Sequence, residues 1–272
     1  MRQHRGMGDG TTPPRSLRVA AVQLAAGPFD VEAAVDVAVT AIHAARGADV
    51  VVLPELATTR YDIKRQMHDV APMPGDEQFE RIASAAWGIG ALVVVGFAER
   101  QDDATYNSVA VLERDGSLAG VRRKTHLFAE EMKVFAPGSA IEPVPTSVGM
   151  LGVAVCFDME LPETMRTLAV RGAELLVVST ANMAPYAAYQ DVYTRARAME
   201  NGLPLVLANW VGRGPRFEFV GRSRVVSQTG DVLADAGDDG PSTISADVLI
   251  RPIADIDPSI DYLAVRRPEL YS

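Results

Sequence analysis

Short apolar runs rich in Val and Ala constrain the fold of this chain more than any other feature. They occupy residues 17–25 (LRVAAVQLA), 49–53 (DVVVL), 91–98 (ALVVVGFA) and 150–155 (MLGVAV). Runs of this length and composition read as buried strands. Between the first two, Val31, Ala34, Val35, Ala38, Ile42 and Ala45 fall at helical spacing. Asp30 is placed to cap the start of that helix, and Gly47 stands where a C-cap glycine is expected. Strand, helix, strand is the order of a layered α/β fold.

The pattern continues with a helix over 77–87 and a hairpin made of 106–112 and 117–123 around Arg114-Asp115-Gly116. A loop with little apolar periodicity covers 124–138. The strand at 150–155 ends directly at Cys156. A helix at 162–171, a strand at 174–179, a helix at 187–200 and a strand at 203–208 follow, with short strands to about residue 250. Residues 1–16 (MRQHRGMGDGTTPPRS) are basic and rich in Gly and Pro, and they read as a flexible leader without the apolar stretch of a signal peptide. No linker or low-complexity tract interrupts 17–272, so a single domain is expected there. Its last part, 251–272, is poor in apolar residues and is expected to pack along a surface or at a subunit interface.

A formal net charge of −9 makes nucleic acid and anionic membrane surfaces poor partners. No apolar run is long enough to span a bilayer. With one cysteine and four scattered histidines, neither an intrachain disulfide nor a structural zinc site is expected. The lone thiol suits a reducing cytoplasm.

Three strand ends carry groups with chemical potential. Cys156 follows one strand and precedes a helix start, a position exposed at the carboxyl edge of a sheet, although a lone cysteine is commonly a small buried hydrophobe. Glu55 follows the strand 49–53 through Pro54, where a plain surface glutamate is the ordinary explanation. Lys124 closes the strand 117–123 in a basic triplet that, taken alone, reads as a solvated cluster. Together they make coherent chemistry: a carboxylate to take a thiol proton, an ammonium to face a developing oxyanion, and a thiolate nucleophile. No histidine is well placed to serve Cys156, which argues against a papain-like protease, and His126 reads as structural.

These segments, LPEL around Glu55, RRKTHLF around Lys124 and GVAVCFDMELPE around Cys156, stand in an order that resembles the nitrilase superfamily of carbon–nitrogen hydrolases. RGAELLVV at 171–178, RARAMEN at 195–201 and Gly221-Arg222-Ser223 are similar to further family segments. The resemblance implies a four-layer α-β-β-α sandwich and a Glu-Lys-Cys triad. In it Glu55 is the general base, Cys156 the nucleophile, and Lys124 with the backbone N–H of Phe157 the stabiliser of the tetrahedral intermediate. It also implies a second active-site glutamate in the loop after the lysine, for which counting back from FAPG favours Glu131 over Glu130. The form of the cysteine motif and STANMAPY at 179–186 resemble amidases of small aliphatic and ω-amino amides. Tyr61, Asn182 and Tyr186 are then candidate pocket residues beside Phe157, with Asp158 and Glu160 as candidates for its polarity, although Asp158 fits a structural hydrogen-bonding role better. Phe157, Leu161 and Ser179 depart from the commoner family residues.

The expected enzyme therefore uses no cofactor or metal, takes a small amide and water as substrates, and forms a homodimer or larger homo-oligomer. The competing readings are an N-carbamoyl amine or amino-acid hydrolase, a nitrilase, and a degenerate binding subunit.

Overall fold

A strand that is apolar at nearly every position needs cover on both faces. The chain meets that demand with two sheets stacked on each other and helices on their outer sides. The computed structural model describes residues 14–62 and 67–271. In chain order the first elements are β1 (Arg15–Ala25), α1 (Val31–Ala44), β2 (Val50–Val52), α2 (Met67–Val70), α3 (Glu77–Ile89), β3 (Leu92–Gln101), β4 (Ala104–Leu112), β5 (Leu118–Arg123), β6 (Val144–Thr146) and β7 (Gly149–Val155). Then come α4 (Pro162–Val170), β8 (Leu175–Ser179), α5 (Ala187–Asn201), β9 (Leu205–Ala208), β10 (Trp210–Arg213), β11 (Glu218–Val220), β12 (Arg224–Val226), β13 (Val232–Asp235) and β14 (Ser242–Ile250).

The larger, eight-stranded sheet runs β11-β10-β1-β2-β3-β4-β5, with β14 also paired to β1; the six-stranded sheet runs β13-β12-β9-β8-β7-β6. Alternate residues of each strand feed different cores. Val22, Val51, Val93 and Phe97 pack under Val35 and Ile42 of α1 and Phe79 and Ile82 of α3. Their neighbours Ala21, Val50, Val52 and Val94 face Val153, Val155, Val177 and Val206 of the other sheet. Ala154, Val178 and Leu207 turn outward to Met165 and Leu168 of α4 and Ala198 of α5. Three cores separate four layers, and the α-β-β-α sandwich implied by the family resemblance is the architecture found.

Most element positions match the sequence reading closely, and Asp30 caps α1 by accepting from the N–H of Ala33 at 3.0 Å. The helix ends at Ala44, one residue before the expected end, and its C-cap is Ala45, whose N–H reaches back to the carbonyl of Ala41; Gly47, expected as the C-cap, takes the left-handed turn two residues further on. The start of the first strand also moves. Arg15 and Ser16, which read as the end of a leader, pair with Ile250 and Leu249 of β14, so a partner distant in sequence supplies the order that local composition lacks. Residues 1–13 of that leader lie outside the described residues. The segment after β14 carries three short 3-10 turns and buries Ile253 beside Gly202. Among the described residues, no helix is long and apolar enough to cross a membrane.

Strand direction positions the site. β2 and β3 are parallel, and two antiparallel reversals through β4 bring β5 back to the same direction. Glu55 after β2 and Lys124 after β5 are therefore delivered to one edge of the large sheet. β7 runs parallel to β8 in the second sheet and delivers Cys156. The two sheet edges are tied there: Ser179 Oγ donates to the carbonyl of Leu53 at 2.7 Å, and the N–H of Glu55 to the carbonyl of Thr180 at 3.3 Å.

Candidate active site

Glu55 sits on a turn that the backbone approaches closely. A Cβ on Gly96 of β3 would stand 2.5 Å from the Leu56 nitrogen and 2.8 Å from the Glu55 Cα, so only glycine lets β3 lie beneath this turn. The indole N–H of Trp210 holds the same turn from the other side, donating to the Glu55 carbonyl at 2.8 Å.

The side chains of Glu55, Lys124 and Glu131 are fully buried. Lys124 Nζ donates to Glu55 Oε1 at 2.7 Å and to Glu131 Oε1 at 2.8 Å. Glu131 Oε1 also accepts from the Tyr61 hydroxyl at 2.6 Å, and its Oε2 from the backbone N–H of Phe128 at 2.8 Å. Glu55 Oε1 takes a second donor, Asn107 Nδ2, at 2.6 Å. Its Oε2 is buried without a hydrogen-bond partner among the described residues.

The structure separates the two glutamates that the loop sequence left in competition. Glu131 is buried against Lys124, whereas Glu130 is exposed between Lys133 and Arg216, whose hydrogen bonds hold its carboxyl down to about 2. Both belong to a 3-10 turn, Ala129–Lys133, and its one-residue register decides which points inward.

Burial pushes the Glu55 carboxyl from its ordinary 4.5 up to about 7, against the pull of the Lys124 charge and with a push from Glu131. Burial alone would lower the Lys124 ammonium, but the charges of Glu131 and Glu55 outweigh it and keep the proton on Nζ well above the ordinary range. Burial and the same two carboxylates raise the Tyr61 phenol, so it stays a neutral donor. Burial, followed by the Glu55 charge, raises the Cys156 thiol, while Lys124 opposes. The resting site is thus a neutral thiol near an ammonium and a carboxylate that changes state close to neutrality.

Cys156 opens a 3-10 turn, Cys156–Glu160, with φ of 47°. Left-handed backbone is uncommon for a residue with a Cβ. It recurs at Leu56, next to Glu55, and at Ala129, at the start of the Glu131 turn. Such conformations persist where surrounding structure holds them, and here they aim three side chains at one place. The Phe157 N–H lies at the head of its turn, before any intrahelical bond can claim it. Asp158 ties the cysteine turn to the lysine loop: it accepts from the N–H groups of Thr125 and His126 and from Thr125 Oγ1, and contacts His126 Nδ1 at 2.8 Å. That places Asp158 and His126 in structural roles. Glu160 is half-buried, and burial raises its carboxyl despite the charge of Lys124.

The candidate pocket residues divide. Phe157 and Tyr186 both pack against Phe128, with ring centroids at 5.4 and 6.0 Å, and form an aromatic wall beside the cysteine turn. Asn182 Nδ2 donates to the Tyr186 carbonyl at 3.1 Å and supports that wall. Tyr61 is 5% exposed and its hydroxyl is committed to Glu131, so its polar end serves the carboxylate network. Sequence reasoning does not single out Phe128, Asn107, Gly96 or Trp210. The one local signal is polar Asn107-Ser108 directly before the apolar run VAVL at 109–112. Among the described residues, no group of three or more His, Cys, Asp and Glu is placed to hold a metal ion.

The carbon–nitrogen hydrolase family model matches residues 18–255, nearly the whole sandwich. The chain belongs to the carbon–nitrogen hydrolase family. An (R)-stereoselective amidase from a Pseudomonas species is 34% identical to this hydrolase, over 82% of each chain. An N-carbamoylputrescine amidase from Solanum lycopersicum is 30% identical, over 94% of each. Among solved structures, the amidase of Nesterenkonia sp. AN1 superposes on this hydrolase with a TM-score of 0.83 at 28% identity, covering 98% of both chains. That structure is described as showing covalent addition of the acetamide moiety of fluoroacetamide at the active-site cysteine.

Proposed function

We propose that this hydrolase converts a small aliphatic carboxamide to carboxylate and ammonia through a thioester on Cys156. The observation that carries the reading is the saturation of Glu55 Oε1 by Lys124 and Asn107, which leaves the buried Oε2 as a base at the sheet edge that delivers Cys156. As Sγ bonds to the amide carbon, its proton passes to Glu55 and the carbonyl oxygen becomes an oxyanion. Lys124 has three N–H groups and the two carboxylates use two, so the third and the Phe157 N–H serve the oxyanion. Collapse breaks the C–N bond, and the proton on Glu55 leaves with the nitrogen as ammonia. Water then gives a proton to Glu55 and its oxygen to the thioester, and the proton returns to sulfur as the acid departs. Glu131 and Tyr61 keep Lys124 charged and in place.

The amidases among the relatives support a carboxamide, and the acetamide adduct on the cysteine of a structural neighbour supports the covalent step. The relative named N-carbamoylputrescine amidase favours carbamoyl compounds as the second reading. A panel of aliphatic amides, N-carbamoyl amines and nitriles, assayed for ammonia and carbon dioxide, decides between them. Ammonia without carbon dioxide from the amides is expected, with turnover on that class at least about tenfold above the others. Ammonia and carbon dioxide from carbamoyl compounds alone would replace the amide reading.

The reading extends to a cytoplasmic homo-oligomer. Tyr189, Val192 and Met199 are exposed at spacings of three and seven along α5, which puts them on one side of the helix, and Val265, Leu270 and Tyr271 are exposed in the final segment. Light scattering is expected to give a mass of twice 29.1 kDa or a higher multiple, and a monomer at micromolar concentration would refute it.

A further inference from the structure

We infer that Asn107 is a positioning residue that selects which oxygen of Glu55 acts as the base, an inference that rests on Glu55 being that base. Asn107 lies on β4, fully buried, in register with Ala98 of β3. It touches both catalytic partners at once. Its main-chain carbonyl accepts the Lys124 N–H at 2.8 Å, and its Nδ2 donates to Glu55 Oε1 at 2.6 Å. Nδ2 stands 3.5 Å from Glu131 Oε1, a much weaker contact.

The orientation of this amide is fixed by chemistry. Turned over, it would set the Oδ1 lone pairs against two carboxylate oxygens. As it stands, Oδ1 is buried with no hydrogen-bond partner among the described residues. An asparagine kept for packing or sheet structure would have both ends of its amide satisfied, as buried polar groups generally do. Here one end is left unsatisfied while the other makes a short bond to the base.

The consequence falls on Glu55. With Lys124 and Asn107 both donating to Oε1, negative charge on that oxygen is stabilised and the carboxylate plane is pinned by two donors. The proton-accepting role passes to Oε2, which has no donor. Tyr61 cannot substitute for Asn107, because its hydroxyl is held by Glu131. Without the amide, Glu55 would keep only the Lys124 donor and could rotate, and its proton affinity would rise, since the Asn107 hydrogen bond lowers it.

The test is the pH dependence of kcat/KM in the native enzyme and in Asn107→Asp, a change of the same shape. An ionised carboxylate there cannot donate to Glu55 and adds a further like charge. The acidic limb should move upward by about one pH unit or more. At pH 7, kcat/KM should fall about 10- to 100-fold, mostly in kcat. Ser108→Ala, on the same strand with its hydroxyl turned to Glu99, should leave the limb where it is. A folded Asn107→Asp enzyme with an unmoved limb, or with an equal loss at every pH, overturns the inference. Should that variant not fold, the side-chain amide resonance of Asn107 in native enzyme settles the matter: it should titrate with the midpoint of the acidic limb, and a pH-independent resonance overturns the inference. An acidic limb that survives in Glu55→Gln would instead count against Glu55 as the base.

Discussion

Replacing Cys156 with alanine is expected to lower amide turnover on the order of 10⁴-fold or more, because no other side chain in the site can form the thioester. The Thr180 hydroxyl, which hydrogen-bonds the thiol, is a plain alcohol that forms no thioester, and the Tyr61 phenol is buried, raised well above its ordinary range and bonded to Glu131. The fold should survive the change. Cys156 is only partly buried, and it packs at the margin of the core between the sheets. The left-handed backbone at this position, φ 47°, carries much the same strain with alanine as with cysteine, so the cost is the loss of one sulfur from a partly buried site. That is about 1 kcal/mol, or a fall in Tm of roughly 2–4 °C for a chain of this size. Measuring ammonia release beside a thermal melt separates the two effects. Turnover near the native rate would remove the thioester mechanism, whereas an unfolded variant would show that the thiol is structural.

The fold was legible in the sequence to the extent that its information is local. Strands such as 91–98 are apolar throughout because one face meets the helices and the other the second sheet, and such runs need no knowledge of their partners to be recognised. Asp30 identified the start of α1 for the same reason, since an N-cap acts within a single turn. Legibility failed where a distant partner decides. Arg15 and Ser16 look like leader residues until β14 pairs with them, more than two hundred positions later. The site follows the same rule. Glu55, Lys124 and Cys156 each end a strand, yet each alone has an ordinary reading, and only the three together make coherent chemistry. Glu130 and Glu131 are chemically alike neighbours, and only the approach of Lys124 and Tyr61 tells them apart. Asn107 reads as a polar interruption in a strand, because its role exists only once the turns after β2 and β5 bring Glu55 and Lys124 beside it.

Glu55→Gln is expected to lower kcat/KM on the order of 10²- to 10⁴-fold, the range usual for loss of a general base, and to remove the acidic limb of the pH profile. The native limb should have its midpoint near pH 7, since burial lifts the carboxyl to about that value and only the ionised form can take the thiol proton. Activity therefore rises as pH increases through neutrality; a midpoint near the ordinary 4.5 would mean that the buried carboxylate is not the base. Stability runs the other way. The folded pKa lies above the unfolded one, so the native state binds this proton more tightly than the unfolded chain does. The stability conferred by the neutral carboxyl is fully present below 4.5 and is lost as pH rises to about 7. The amide introduced by Glu55→Gln carries no such proton, so the Tm of the native enzyme relative to that variant should decline across this window and level off above it. The group whose ionisation switches on catalysis is thus one whose ionisation the fold disfavours. The compensating contacts are those the sheet edge supplies, the Lys124 ammonium and the Asn107 amide, both on Oε1. A flat difference in Tm between pH 4.5 and 7 would show that these two donors already offset the desolvation of Glu55, and the acidic limb would then belong to another group.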